Sequence, residues 1–505
     1  MNDPQVPTAA TPSAAPIRAQ LTPSPSERWI FLGIVSAGLF LVGVDNSVLY
    51  TALPVLRQEL HASELEALWI INAYPLVLSG LLLGTGTLGD RIGHRRMFLF
   101  GLIIFGLASI AAAFSPHAWA LVSARAMLGL GAATMLPATL ALIRETFRNP
   151  RELSTAIGIW AATATFGAAA GPVVGGLLLE HYWWGSIFLI NIPVVVLALI
   201  GTVAIAPPNS ASPEKHWDFR SSFYAMIAML GTVMLIKEIA GARSQVVILG
   251  AIVFAIAGAL LFGYRQKHLR EPLLSFDIFR SRMFTGGVLA AGLAMFVLAG
   301  TELMTTQRFQ LAAGYTPLQA GLLASLAAVI SFPFSIAGGV IVHRVGFRTL
   351  ITGGFSVATL GLAAMGIGQA TESMYWLVPG LMALGAGSGA VMSVSSTAII
   401  GSAPASRAGM ASAVEAVSYE FGTLLTVAIT GSLFPMFFAR YAAVDPSLSM
   451  YEVLADPAAA PTATTGIDAA YLTVLWILTA VGVIAAIYTA YAFRGNPKET
   501  RYAHE

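Results

Sequence analysis

Gly86-Thr87-Leu88-Gly89-Asp90-Arg91-Ile92-Gly93-His94-Arg95-Arg96 is a short basic turn, and it returns in the second half as Gly339-Val340-Ile341-Val342-His343-Arg344-Val345-Gly346-Phe347-Arg348. Both have the form R-x-G-x-R. Each lies between the second and third long apolar run of its half. One turn recurring at one place in each half implies two six-helix repeats, an internal symmetry that marks transporters.

Composition sets the class. Of 505 residues, 56% are apolar and 10% are charged, against roughly 25% charged in soluble domains. Such a chain cannot cover its surface with polar groups in water, which excludes a soluble enzyme and a disordered protein. The apolar runs are continuous, whereas barrel strands alternate, so the fold class is an all-α polytopic membrane protein. At about 20 residues per crossing, we read fourteen spans: 29–52, 66–88, 97–114, 118–142, 153–179, 184–206, 220–240, 245–264, 283–305, 318–342, 348–368, 376–398, 408–436 and 469–493.

The domains follow from these spans. Residues 1–28, rich in Pro, Ala, Ser and Thr, form a disordered cytoplasmic tail without the apolar core of a signal peptide. Residues 29–206 form a six-helix bundle, 207–270 a linker with two extra spans, 271–494 a second six-helix bundle, and 495–505 a cytoplasmic tail. With the N-terminus inside, 21 of the 27 Lys and Arg fall in cytoplasmic segments and four outside; Arg125 and Lys237 lie within spans. A miscounted span would mix the two classes, so the bias places both termini in the cytoplasm.

Cysteine is absent, and the eight histidines are scattered. There is no H-E-x-x-H and no nucleotide-binding loop, so neither enzyme chemistry nor ATP drive is expected. The expectation is a monomer that binds no cofactor and no nucleic acid, in contact with membrane lipids, in a bacterial inner membrane.

The two turns resemble those of the major facilitator superfamily, whose signature loop is G-x-L-x-D-R-x-G-R-[KR]; His94 stands here for the usual Arg. Three more motifs narrow the likeness. Asp45-Asn46-Ser47-Val48-Leu49-Tyr50-Thr51-Ala52-Leu53-Pro54 is similar to the first-span run of the fourteen-helix drug:proton antiporters. Leu121-x3-Arg125-x3-Gly129-x-Gly131-Ala132-Ala133 is similar to their fourth-span motif. Gly167-x3-Gly171-Pro172-x2-Gly175-Gly176 resembles their antiporter motif in span 5. Glu64-Leu65-x2-Leu68-Trp69-Ile70-Ile71, Pro137-Ala138-Thr139-Leu140-Ala141, Gly185-Ser186-Ile187-Phe188-Leu189-Ile190-Asn191 and Ala413-x-Glu415-x3-Tyr419-Glu420-Phe421-Gly422 look like the methyl viologen and quaternary ammonium exporters within that family. The resemblance covers the chain apart from the tails and the 438–468 loop. It implies export of lipophilic cations in exchange for protons by alternating access. Export of one metabolite or natural product would use the same motifs.

Charges within spans need a reason, since each costs at least about 2.5–3.5 kcal/mol at the bilayer centre. Asp45, Glu302, Glu415, Glu420 and Arg125 are the coupling candidates. Asp45 falls in the outer half of span 1, as a cavity acid or a hydrogen bond to a neighbouring helix. Glu415 and Glu420 are five residues apart and point about 140° away from each other, so one can face a cavity while the other packs on a neighbour. Glu302, near the outer end of span 9, is a coupling acid, or else an outer-gate acid or a wetted helix end. The resemblance assigns Arg125 to proton transfer; a structural ion pair or a bond to helix carbonyls is the alternative. Lys237 and Glu238 read as a local pair near the interface. A buried carboxylate holds a proton that an exposed one would lose, so proton and cation compete for one charge.

Ring faces attract cations, which makes Trp69, Tyr74, Trp160, Phe166, Phe296 and Tyr419 candidates for the substrate cavity, with packing as the alternative. The gating candidates are Asp90 and Arg91 with Gly171 and Pro172. Asp90 is expected to sit against the positive N-terminus of span 13. The resemblance gives Gly171 and Pro172 to a seal between halves. The acidic 438–468 segment reads as a solvated outer loop.

Overall fold

The computed structural model describes residues 25–211, 214, 217–240, 244–269, 272–403, 407–445, 448 and 450–494. The N-terminal bundle consists of α1 (Pro25–Glu59), α2 (Glu64–Ile92), α3 (His94–Ala113), α4 (Ala118–Thr146), α5 (Pro150–His181), α6 (Ser186–Leu189) and α7 (Asn191–Ile205). The insert is α8 (Phe219–Ala240) and α9 (Gln245–His268). The C-terminal bundle follows a 3-10 turn at Phe276–Arg280. It consists of α10 (Arg282–Leu311), α11 (Pro317–Val345), α12 (Phe347–Ala370), α13 (Met374–Gly401), α14 (Ala408–Tyr441), α15 (Met450–Ala455) and α16 (Ala460–Ala492). No strand occurs among the described residues. Thirteen helices among them are long and apolar enough to cross a membrane, and α5 is a further helix of 32 residues at the fifth expected span.

The repeat seen in the sequence is visible in the helix ends. The second helices of the two halves, α2 and α11, are both 29 residues long and both open with a capping box, Ser63 with Glu66 and Thr316 with Gln319, which satisfies two free N–H groups reciprocally. Both end at a glycine with positive φ, Gly93 at 95° and Gly346 at 88°, a conformation that a Cβ disfavours. The amides of Gly93 and Gly346 donate at 2.8 Å to the Gly89 and Val342 carbonyls.

Within the first bundle α1 packs on α5, and α2 and α3 pack on α4; in the second, α13 packs on α11 and α12, α14 on α10 and α16 on α12. The halves meet through α5–α11, α2–α14 and, between them, α1–α10. The α5–α11 contact is backbone to backbone. A Cβ on Gly176 would lie 2.4 Å from Leu318 Cα, and one on Gly321 would lie 2.2 Å from the Pro172 carbonyl oxygen. Small residues allow such an approach.

The insert helices cross at Gly231 and Gly258, each against the other helix's backbone, and α8 lies on α2 and α14. Asp218 ties the base of this hairpin together. It accepts from Arg265 Nε at 3.0 Å and from the Ser221 hydroxyl, and Gln266 Nε2 donates to Ser221 Oγ at 2.6 Å. Burial works to raise the Asp218 pKa, but the bonds from Arg265 and Ser221 overcome it, leaving the carboxyl below its ordinary value. Lys237 Nζ lies 3.4 Å from Glu238 Oε1, the local pair expected.

Three boundaries differ from the sequence reading. Helix α1 begins at Pro25, inside the expected tail, because proline is preorganised for the first helical position; residues 1–24 and 495–505 lie outside the described residues. The sixth span is broken into α6 and α7 around Ile190, where Pro193 lacks the N–H that would bond Leu189. The expected 438–468 loop is largely helical. Helix α14 runs to Tyr441, α15 occupies Met450–Ala455, and α16 begins at Ala460, nine residues before the expected span, in alanine-rich sequence that favours helix.

Candidate functional site

The N-terminal bundle buries an ion pair. Asp45 on α1 and Arg125 on α4 have side chains 0% exposed, and Arg125 Nη1 donates to Asp45 Oδ2. Asn191, at the start of α7, donates to Asp45 Oδ1 at 3.2 Å and lies 3.1 Å from Ser109 Oγ. Arg125 Nε donates to the Ile70 carbonyl at 3.2 Å, and its Cζ sits 4.6 Å from the centroid of the Tyr74 ring. Three helices thus hold the guanidinium: α1 by charge, α2 by a carbonyl and a ring face, and α4 as its own backbone. Asp45 is therefore not open to a cavity. The pair cancels its own charge, as a buried pair must to be tolerated.

The C-terminal bundle places its acids differently. Glu415 and Glu420 on α14 diverge, as five residues of helix require. Glu415 turns to its own half, where Tyr419 Oη lies 3.1 Å from Glu415 Oε1 and 3.2 Å from the Met392 carbonyl, and Ser396 also bonds the carboxylate. Glu420 turns to the other half, within Coulombic reach of Arg125 and Tyr74. Glu302 on α10 and Glu420 both lie within Coulombic reach of the Tyr50 hydroxyl on α1. Glu302 Oε1 and Glu420 Oε2 are buried and without a hydrogen-bond partner among the described residues, as are Arg125 Nη2, the Tyr74 hydroxyl and both amide atoms of Asn72. Across the seam between the bundles, Glu420 is thus within Coulombic reach of Arg125, Tyr74 and Tyr50, and Glu302 of Tyr50.

Of the aromatic candidates, Tyr74 is fully buried against Arg125, Trp69 and Phe296 are 8% exposed, and Tyr419 is bonded to Glu415. Trp160 Nε1 donates to Thr139 Oγ1 at 3.1 Å. Phe166 is not part of this group: it is 64% exposed and stacks on Phe40 at 5.9 Å on the surface of α1 and α5. Asp90 Oδ1 lies 3.1 Å from His94 Nε2, while Arg91 is exposed. The expected seat of Asp90, the start of span 13, borders residues 404–406, which lie outside the described residues. Gly171 lets α5 close on α1: a Cβ there would stand 1.9 Å from Ser47 Oγ. Pro172 sits at the seam on α11.

Sequence reasoning passed over Asn191, Asn72 and Tyr50. Asn191 stood in a quoted motif without a role; its only signal was an amide in an apolar run. The partners of Asp45 lie 80 and 146 residues away, a distance that no local pattern bridges.

Residues 35–427 match the model of the Major Facilitator Superfamily. The chain is 36% identical to the methyl viologen resistance protein SmvA of Salmonella typhimurium, over 84% of this chain and 86% of that one. It is 34% identical to the multidrug efflux pump LfrA of Mycolicibacterium smegmatis, over 83% of each, and 32% identical to a tetracenomycin C resistance and export protein of Streptomyces glaucescens, over 80% and 76%. In fold it is similar to a bacterial homolog of the human lysosomal transporter Spinster in an inward-facing conformation, with a TM-score of 0.65 and 17% identity over 94% of this chain and all of that one.

Proposed function

The chain belongs to the major facilitator superfamily, a family of transporters rather than enzymes, and from that premise we propose that it exports lipophilic cations across a bacterial inner membrane in exchange for protons. The observation that carries this reading is the contrast between one buried acid that is paired, Asp45, and two that are not, Glu302 and Glu420. A carboxylate without a partner, in a site that excludes water, binds either a proton or a cation, and each displaces the other. Arg125 pairs with Asp45, while its Nη2 has no hydrogen-bond partner among the described residues and the guanidinium lies within Coulombic reach of Glu420. The Tyr74 ring, within Coulombic reach of Glu420 at its hydroxyl, carries the Arg125 guanidinium on its face. The proton gradient is the sole drive in this reading, with no cofactor.

The fourteen spans and both cytoplasmic termini belong to the same proposal, as does action as a monomer. Asp90 and Arg91 gate the cytoplasmic end, and Pro172 seals the seam against α11 while Gly171 sets α5 close against α1 behind it. Relatives named for methyl viologen resistance and multidrug efflux support a wide substrate range. The relative named for export of tetracenomycin C supports the second reading, a dedicated natural-product exporter.

The test is reconstitution in liposomes with a pH dye inside. Methyl viologen, ethidium and a quaternary ammonium compound are added under a set proton gradient. Proton movement that requires the cation, and that Glu420→Gln lowers about tenfold or more, supports the proposal. Absence of any response across the three cations, in protein shown to be folded, excludes it and favours the dedicated exporter.

A further inference from the structure

Pro54 lies inside α1. Its ring nitrogen carries no proton, so the Tyr50 carbonyl one turn earlier is left without a helical donor. A buried carbonyl without a donor is costly, and Tyr50 is 3% exposed. The donor comes from the other bundle. Thr306 Oγ1 on α10 lies 2.9 Å from the Tyr50 carbonyl oxygen. One turn further along α10, Gln310 Nε2 donates to the Thr51 carbonyl at 2.9 Å.

The Thr306 hydroxyl has one proton and three carbonyls in reach: Tyr50 at 2.9 Å, Leu303 at 2.9 Å and Glu302 at 3.0 Å. The last two lie on its own helix and already have helical donors. The Tyr50 carbonyl does not. While the bundles are together and water is excluded, the proton is worth most on Tyr50. When they part, the hydroxyl turns back to its own helix, and the Tyr50 carbonyl is served by water. The device therefore favours closure at this end without opposing opening by more than about one hydrogen bond. The same end is where Gly176 meets Leu318 and where Leu68 of α2 approaches Gly431 of α14. Thr306 also stands one turn from Glu302, so the bond lies on the same stretch of α10 as an unpartnered acid.

We propose that Pro54, Thr306 and Gln310 form an interbundle latch that sets the population of the state closed at the α1–α2 end; the inference rests on the alternating-access reading above. Its test needs neither substrate nor gradient, so it fails or holds independently of the transport assay. The chain has no cysteine, which leaves Glu59→Cys with Ala313→Cys, both exposed and on opposite bundles at that end, as the only spin-label sites. Double electron–electron resonance in nanodiscs reads the open and closed distances directly.

Thr306→Val is expected to raise the open-to-closed ratio about two- to tenfold, the worth of one net hydrogen bond. Pro54→Ala restores the helical donor to Tyr50 and is expected to raise the ratio similarly. Adding Thr306→Val to Pro54→Ala is expected to change little further, because both remove one interaction. Thr305→Val is the control: its hydroxyl lies 2.9 Å from Tyr471 Oη inside the C-terminal bundle, and its ratio is expected to stay that of the parent. An unchanged ratio in folded Thr306→Val, an equal rise in Thr305→Val, or full additivity with Pro54→Ala would each overturn the latch.

Discussion

The N-terminal bundle carries its buried acid already paired, whereas the three acids buried in the spans of the C-terminal bundle, Glu302, Glu415 and Glu420, have no ion-pair partner among the described residues. The two halves share an architecture down to the capping boxes of α2 and α11 and the positive φ of Gly93 and Gly346. Their charges do not follow that symmetry. The buried acid of one half is paired and those of the other are not, and the seam between them brings Glu420 within Coulombic reach of Arg125. A repeat supplies the frame; in the function proposed above, the asymmetry of charge is what a cation or a proton binds to.

The largest effect expected from this contrast is on stability. Arg125→Leu leaves Asp45 buried without its cation, and about 3–5 kcal/mol should be lost, seen as a fall in the melting temperature in detergent. Adding Asp45→Asn to Arg125→Leu should return most of it, since an unpaired charge is what destabilises. Glu420→Gln, in contrast, should leave the melting temperature unchanged and reduce cation-driven proton flux by about tenfold or more, the factor that a 1.4 kcal/mol interaction supplies. Equal melting losses for Arg125→Leu and Glu420→Gln would erase the distinction between the halves.

The two turns offer a smaller and sharper comparison. Gly93 (φ 95°, ψ 136°) and Gly346 (φ 88°, ψ 154°) share a positive-φ, extended-ψ conformation, so replacing either by Ala should cost about 1–3 kcal/mol in backbone strain. The surroundings differ. A Cβ at Gly93 would stand 2.1 Å from the amide of Asn209, which bonds the Ile92 carbonyl at 2.9 Å, whereas one at Gly346 meets nothing within 4 Å. Gly93→Ala should therefore lower the melting temperature more than Gly346→Ala. Equal losses would mean that the Asn209 side chain moves aside freely.

The smallest effect is expected at the insert. The Asp218 carboxyl lies below its ordinary pKa, so its bonds to Arg265 and Ser221 contribute fully above about pH 4 and are lost as pH falls through the lower folded value. Amide exchange around residues 217–224 should rise over that window, and not in Asp218→Asn, which has no such titration. The bundles should be indifferent to the same change. Asp277, held below its ordinary value by the Arg407 guanidinium 2.7 Å away, is exposed and should add little.

The amino-acid sequence by itself determined the class, the repeat and the places of the charges. Long apolar runs admit few alternatives in a bilayer, and the turn Gly86–Arg96 with its second copy marked the ends of matching helices. It also determined that Glu415 and Glu420 diverge, since helix geometry is local. Only the tertiary structure decided that Asp45 is enclosed with Arg125 and Asn191, that Phe166 lies on the surface, and that the carbonyl freed by Pro54 is met by Thr306. The physical reason is range. A helix, a cap or a turn is settled by neighbours within four residues, whereas the partner of a buried charge or of an unserved carbonyl is whichever group packing brings within about 3 Å, and that group can lie anywhere in the chain.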